Sequence, residues 1–191
     1  YNHPDLVENM WVNPGEIADN GIDDDGNGYI DDYYGYNFAD NNSSPYDNIG
    51  HGTHCAGTIA AVGNNEIGVA GVSWNTKVAA LKWGGWTAQT VDAVEAVMYA
   101  NMMNFDITSN SWHLLDGYSQ GLRDAIESSQ ALFVNAAGNS WLDMDVMIDY
   151  PTSYDLDIML TVAATDPNDN LVDVPGWWGS NYGLTTVDVA A

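Results

Sequence analysis

The amino-acid sequence predicts an α/β fold: a mostly parallel central sheet with helices on both faces, three α/β/α layers in all. Two observations predict it. Short apolar runs of strand type alternate with longer runs of helical period, and that alternation implies crossover helices lying over a parallel sheet. The strand runs are also nearly continuously apolar, as strands buried on both faces are. The chain has 191 residues, enough for one domain with its own core. No repeat of 20–50 residues and no linker divides it, so residues 1–191 are expected to form a single domain.

Residues 1–50 are rich in Asp, Asn, Gly and Tyr with little periodicity, and read as loops ordered by something other than a hydrophobic face. The small, apolar string 51–62 reads as a helix packed among neighbours. Residues 77–81 read as a strand, and residues 87–103 as a helix with Val91, Val94 and Met98 on one stripe. A strand follows over 105–111. The helix expected over 119–129 carries Leu122, Ala125 and Ile126 on one face. Buried strands are expected over 131–137 and 159–164.

Charge narrows the function classes. Three Lys plus Arg stand against 27 Asp plus Glu, a formal net charge of −24. Such an excess repels nucleic acid phosphates and anionic membrane surfaces. It favours cations, above all Ca²⁺, which prefers clustered carboxylate and carbonyl oxygens. It also fits an extracellular or saline setting. A hydrophobic content of 46% excludes a disordered acidic tail. The single cysteine, Cys55, excludes an intrachain disulfide. No apolar run approaches the ~18 residues of a membrane-spanning helix. The chain starts at Tyr1 without an initiator Met or a leader and stops on Val-Asp-Val-Ala-Ala, so an interior piece of a longer chain is expected.

Four groups of residues carry chemistry. His51, at the start of its helix and followed by Gly52, suits a general base, since His exchanges protons near neutral pH; a capping or core His is the alternative. Asn139 closes Phe133-Val-Asn-Ala-Ala-Gly-Asn139, where a strand ends. Ligands gather at such ends in open α/β sheets, and an amide N–H there can stabilise an oxyanion; a plain turn is the alternative. In the acidic loop 20–32, Asp23, Asp25 and Asn27 alternate, Gly28 permits a sharp turn and Tyr29 offers a carbonyl. These are positions 1, 3, 5, 6 and 7 of an EF-hand-type loop. Position 12 is Tyr34 rather than Glu, so Asp31 or Asp32 is expected to supply the last carboxylate; a solvated acidic turn is the alternative. Cys55 lies one helical turn after His51 and reads as a small buried hydrophobe, or as half of a Cys–His pair whose sulfur would have to leave the core. A zinc site made of His51, His54 and Cys55 would need ligands that converge, which consecutive helix positions do not.

The string His51-Gly-Thr-His-Cys-Ala-Gly resembles the His-Gly-Thr-His-Val-Ala-Gly block of the subtilisin family of serine peptidases. The likeness runs from His3-Pro-Asp-Leu to Val187-Asp-Val-Ala-Ala, through Tyr154-Asp-Leu-Asp, Thr161-Val-Ala-Ala-Thr-Asp and Ser180-Asn-Tyr-Gly183. It implies a subtilisin-like fold, incomplete at both ends, and a secreted, calcium-stabilised serine endopeptidase that cleaves polypeptides. His51 would be the base, His54 a structural helix residue and Asn139 the oxyanion donor. Ser109, Asn110, Ser111 and Trp112 match the strand that binds the substrate backbone, with Ala137 and Gly138 beside it. His113 stands where that strand continues with glycine. Asp5, Gly63, Asn65, Ile67 and Val69 match the family's calcium loop. One branch of the family carries Cys at the position of Cys55. Residues 82–86 look like a shortened subsite edge, and residues 174–179 like an insertion. The family's catalytic Asp and Ser motifs, Asp-Ser/Thr-Gly and Gly-Thr-Ser-Met-Ala, do not occur in the chain. The chain alone is therefore expected to be inactive. A non-catalytic, calcium-binding module on the same fold is the alternative.

Overall fold

A computed structural model describes residues 1–85, 89–114 and 116–191. Trp86, where the shortened subsite edge ends, the first two residues of the helix expected over 87–103, and Leu115 lie outside the described residues. The chain forms two compact units, Tyr1–Ala96 and Val97–Ala191.

In the first unit a 3-10 turn, Val7–Asn9, is followed by β1 (Gly35–Asn37), α1 (His51–Ala60) and β2 (Ala80–Lys82). β1 and β2 pair in parallel, with Tyr36 opposite Leu81. Residues 1–50 are mostly loop, as expected. β1 escaped prediction because three residues are too few to display a period. A small aromatic cluster backs this strand: the Tyr29 ring meets Tyr36 at 4.8 Å and Phe38 at 5.7 Å, both edge to face. α1 departs from expectation, since Ala60 is its one buried residue. It is held chiefly through its C-terminal carbonyls rather than an apolar face. Val72 N donates to Thr58 O and Ser73 N to Ile59 O, each at 2.9 Å. The buried Asn9 amide donates to Ala60 O at 2.9 Å. These bonds satisfy the carbonyls that a helix end leaves free, while the residues from His51 to Ile59 stay exposed or half-buried.

α2 (Thr90–Met102) crosses the boundary between the units. Its buried stripe corrects the expected one. Val91 is 53% and Met98 60% exposed, whereas Ala93, Ala96, Val97 and Ala100 are buried. The spacing i, i+3, i+4, i+7 is helical in both readings. Val91 and Met98 face solvent, while Tyr99, 1% exposed, is the largest side chain the helix buries.

The second unit continues with β3 (Ile107–Asn110), α3 (Gln120–Glu127), β4 (Leu132–Ala136), β5 (Met159–Ala163), β6 (Asp173–Val174), β7 (Trp178–Gly179) and β8 (Val189–Ala190). Four strands form one parallel sheet in the order β3-β4-β5-β8, as the strand–helix alternation predicts. Along β4 burial alternates: Phe133 and Asn135 are buried, and their neighbours half-buried. Asn135 satisfies its amide on Thr152 Oγ1 at 2.8 Å. α3 starts where Ser119 Oγ accepts the Leu122 N–H at 3.3 Å. It buries Leu122, Ala125 and Ile126, the predicted face. β6 and β7 form a short antiparallel hairpin over the segment read as an insertion.

Leu122→Ala removes a fully buried side chain and is expected to cost ~2–5 kcal/mol, while Met98→Ala costs less than ~0.5 kcal/mol. Urea denaturation of the two variants checks the corrected stripe, and a larger loss at Met98 would contradict it.

Candidate active site and cation sites

His51 is the first residue of α1, after Gly50 in a left-handed conformation (φ 93°) that offers no side-chain cap. Asp47 does the capping from three residues further back. Its Oδ1 accepts from Ile49 N at 2.9 Å and Gly50 N at 2.7 Å. Its Oδ2 accepts from Thr53 N and Thr53 Oγ1, both at 2.8 Å. Partial burial pushes the Asp47 carboxyl up, but these four hydrogen bonds together outweigh it and hold the group well below the usual carboxylate range. The sequence reading missed Asp47. An acidic residue just before a helix start was the available signal, but its offset is unlike that of an ordinary N-cap. The His51 imidazole is exposed, and its Nε2 lies 3.9 Å from Cys55 Sγ. His51, His54 and Cys55 do not form a metal cluster: among the described residues the one group of three or more such side chains with converging ligand atoms is Glu16, Asp23 and Asp25.

In the second unit the register brings two predicted segments to one edge. Asn110 ends β3 opposite Asn135 of β4, so Ser111-Trp112 and Ala137-Gly138-Asn139 both leave the carboxyl edge of the sheet. Ser109 and Ser111 are exposed, and Asn110 is buried with its amide on Thr108 Oγ1 at 2.9 Å and Val134 O at 3.1 Å. Trp112 turns back, donating from Nε1 to Asn110 Oδ1 at 3.2 Å and packing edge-on against Phe133. His113 Nδ1 is 3.2 Å from Asp149 Oδ2, an exposed pair.

The turn bearing Asn139 is built on a residue that had drawn no role, Asn181. This side chain is 3% exposed. Its Oδ1 accepts from Ser140 N at 2.8 Å and Leu142 N at 3.0 Å, and its Nδ2 donates to Ala137 O at 2.9 Å. Gly138 lies at φ 107°, and a Cβ there would sit 2.5 Å from Asn181 Nδ2, so only glycine fits. The Asn139 amide, exposed and without a partner among the described residues, is thus presented on a fixed loop. It lines an open depression of about 310 Å³ with Trp177 and Trp178 of the β6–β7 hairpin.

Two loops offer hard oxygen donors. In the first, the buried Asp5 accepts from Asn65 Nδ2 at 2.7 Å and Val69 N at 2.9 Å. The Asn65 bond first, then Val69, holds its carboxyl below the usual value. Gly63, Ile67 and Val69 run alongside, and residues 62 and 64–70 line an open depression of about 270 Å³. In the acidic loop, Asp23 Oδ2 accepts from Gly28 N at 2.8 Å and Asp23 Oδ1 from Gly26 N at 2.7 Å. Asn27 Oδ1 accepts from Tyr29 N at 2.8 Å. Gly28 takes φ 97°, the sharp turn expected at that position. The predicted replacement for position 12 is not seen in Asp31, which is turned to Asn20 N and Gly21 N at 2.9 Å. Asp32 is buried and accepts from Asn13 and Asn27 amides. Glu16, which the sequence reading passed over, lies against the loop instead, its carboxyl pushed up first by burial and further by Asp32 and Asp25. A buried carboxylate oxygen without a donor, among acidic neighbours and oxygen donors only, fits Ca²⁺.

Known proteins match this chain along its length. The Subtilase family profile matches residues 1–191. Thermitase of Thermoactinomyces vulgaris is 36% identical over 166 residues, covering 82% of this chain and 54% of that protein. Subtilisin-like protease 1 of Plasmodium berghei (strain Anka) is 51% identical over 83 residues, 43% of this chain and 14% of that protein. The chain therefore spans about half the length of thermitase and a smaller part of the other. Among solved structures, the epidermin leader peptide processing serine protease from Staphylococcus aureus matches with a TM-score of 0.67 at 23% identity, covering 100% of this chain and 48% of its own. The fold is the subtilisin-like α/β fold.

Asp47→Ala is expected to cost ~1–2 kcal/mol at neutral pH through the loss of the α1 cap. The folded-state pKa of Asp47 lies below its unfolded value of ~3.9. Its stabilisation is therefore present above that value and is lost as pH falls through the folded one. Urea midpoints for variant and parent should differ at pH 7 and converge in acid, and a gap that persists unchanged in acid would count against the cap.

Proposed function

The chain belongs to the subtilase family, and we propose on that premise that the whole protein is a secreted, calcium-stabilised serine endopeptidase in which His51 is the general base. The observation that carries this reading within the chain is the Asn139 turn. An exposed amide on a loop fixed by Asn181, at the carboxyl edge of a parallel sheet, is what an oxyanion donor requires: a hydrogen-bond group already in place, with no reorganisation when charge develops. His51 would take the proton of a serine hydroxyl as it attacks the peptide carbonyl, and return it to the leaving amine. Asn139 Nδ2 would donate to the oxygen of the tetrahedral intermediate. The substrate backbone would run along Ser109–Trp112, with Ala137 and Gly138 lining the cleft.

The nucleophile and the carboxylate that orients the base are not among these residues. No Gly-Thr-Ser-x-Ala string occurs, and among the described residues no carboxylate hydrogen-bonds the His51 ring. The 191 residues alone are thus proposed to be inactive. Two calcium sites would hold the loops of the first unit, one from Asp5, Gly63, Asn65, Ile67 and Val69, the other from Asp23, Asp25, Asn27 and Tyr29. Hard carboxylate and carbonyl donors suit that ion, and a net charge of −24 favours it.

A chain extended on both sides to include a Gly-Thr-Ser-Met-Ala segment is expected to cleave casein, and to lose that activity on His51→Ala. The 191 residues alone are expected to cleave nothing. An extended chain with an intact nucleophile that binds casein without cleaving it would replace this reading with that of a binding module. Calcium at about 100 times its Kd should add ~2.7 kcal/mol of stability per site, seen as a melting temperature that drops on adding EGTA; a melt indifferent to EGTA would remove both sites.

A further inference from the structure

The acidic loop lacks the carboxylate that closes an EF-hand-type site, because Tyr34 stands at position 12. Glu16 lies seven residues before position 1. The residue is 6% exposed. Oε1 accepts from Asp24 N at 2.8 Å and Asp25 N at 3.2 Å, which orients the group toward the loop. Oε2 is buried and has no hydrogen-bond partner. An unsatisfied buried acceptor is rare, and an unsatisfied charged one rarer still.

The Glu16 carboxylate lies close to those of the loop. One ligand oxygen each from Glu16, Asp23 and Asp25 lie within 4.8 Å of one another. Oxygens bound to one Ca²⁺ at ~2.3–2.6 Å can be no more than about 5 Å apart, twice the bond length. No protein cation is available to neutralise them. The three basic residues of the chain are Lys77, Lys82 and Arg123. Lys77 Nζ donates to Glu8 O, Lys82 Nζ to Tyr46 O, and Arg123 pairs with Glu127. Asp31 and Asp32, the other candidates in reach along the chain, already accept from Asn20 N and Gly21 N and from the Asn13 and Asn27 amides respectively.

We propose that Glu16 is a calcium ligand, supplying through Oε2 the carboxylate that the loop's own position 12 does not, so that one ion joins segment 13–17 to loop 23–29. This rests on the reading of the acidic loop as a calcium site. The arrangement moves the closing ligand from the end of the loop to a segment upstream of it. Gly15 makes room for the approach, since a Cβ there would meet Asp25 Cβ at 2.6 Å. The oxygen-only donor set selects Ca²⁺ over zinc.

The test uses the full chain with Asp5→Asn, which silences the other loop, and reads Ca²⁺ binding by calorimetry together with Tb³⁺ luminescence. Adding Glu16→Gln is expected to weaken Ca²⁺ by about tenfold or more, because one charged ligand is lost, and Glu16→Asp by less. The calcium-free melting temperature of Glu16→Gln should stay level or rise, since a buried charge without a partner has been removed. A purely structural Glu16 would lower it and leave binding alone. If Asp23→Asn abolishes binding while Glu16→Gln leaves it unchanged, Glu16 is not a ligand and the loop site stands without it. If the Asp5→Asn parent binds no calcium, the loop reading fails and Glu16 falls with it.

Discussion

Negative charge without positive partners is the constraint from which the loops of this protein follow. With three basic side chains for 27 acidic ones, ion pairing can serve few carboxylates, and they turn to backbone N–H groups instead. Asp47 caps α1 with three N–H groups and a hydroxyl. Asp145 binds the N–H groups of Leu184, Thr185 and Thr186 together with both threonine hydroxyls, led by Thr186, and is held well below the usual carboxylate range. Asp166 does the same for Asn168 and Asn170. Charge-assisted bonds of this kind are stronger than neutral ones, so they order long stretches of chain that contain little apolar surface. Where N–H donors run out, as at Glu16 Oε2, a carboxylate oxygen is left buried without a hydrogen-bond partner.

The same economy shapes the candidate active site. His51 and Asn139 both stand exposed on backbone held by a polar side chain from elsewhere: Asp47 for His51, the buried Asn181 for the Asn139 turn. Neither candidate residue is itself buried. The rigidity lies behind them, in hydrogen bonds to main chain, which leaves the imidazole and the amide exposed. The parallel sheet of the second unit contributes the common edge from which Ser111-Trp112 and Ala137–Asn139 emerge. The β6–β7 hairpin adds Trp177, 77% exposed, beside Asn139, an apolar surface at the margin of the same depression.

The amphipathic face of α3, the parallel pairing of β3, β4 and β5, and the start of α1 at His51 were all legible in the sequence. Each is a local pattern: a 3.6-residue period, an apolar run, a change of composition. The stripe of α2 was not, because Val91 and Met98 outrank alanine in hydrophobicity, and only packing reveals that the alanines face inward. β1, β6, β7 and β8 were too short to carry a period. The residues that build the site, Asp47, Asn181 and Glu16, also went unseen. Each acts on groups that no spacing rule connects to it, Asn181 across 41 residues to Ser140.

By itself, then, the sequence determined the chemistry available: an acidic chain with no disulfide, a His at a helix start, an amide at a strand's end, oxygen donors at EF-hand-type spacing. Those depend on residue identity and on distances of a few residues, which the chain states directly. The tertiary structure alone decided which buried polar groups hold the functional ones and which carboxylate turns toward the loop. Those depend on hydrogen bonds between segments distant in sequence, and on the cost of burying an acceptor that nothing satisfies, and neither exists until the chain has folded.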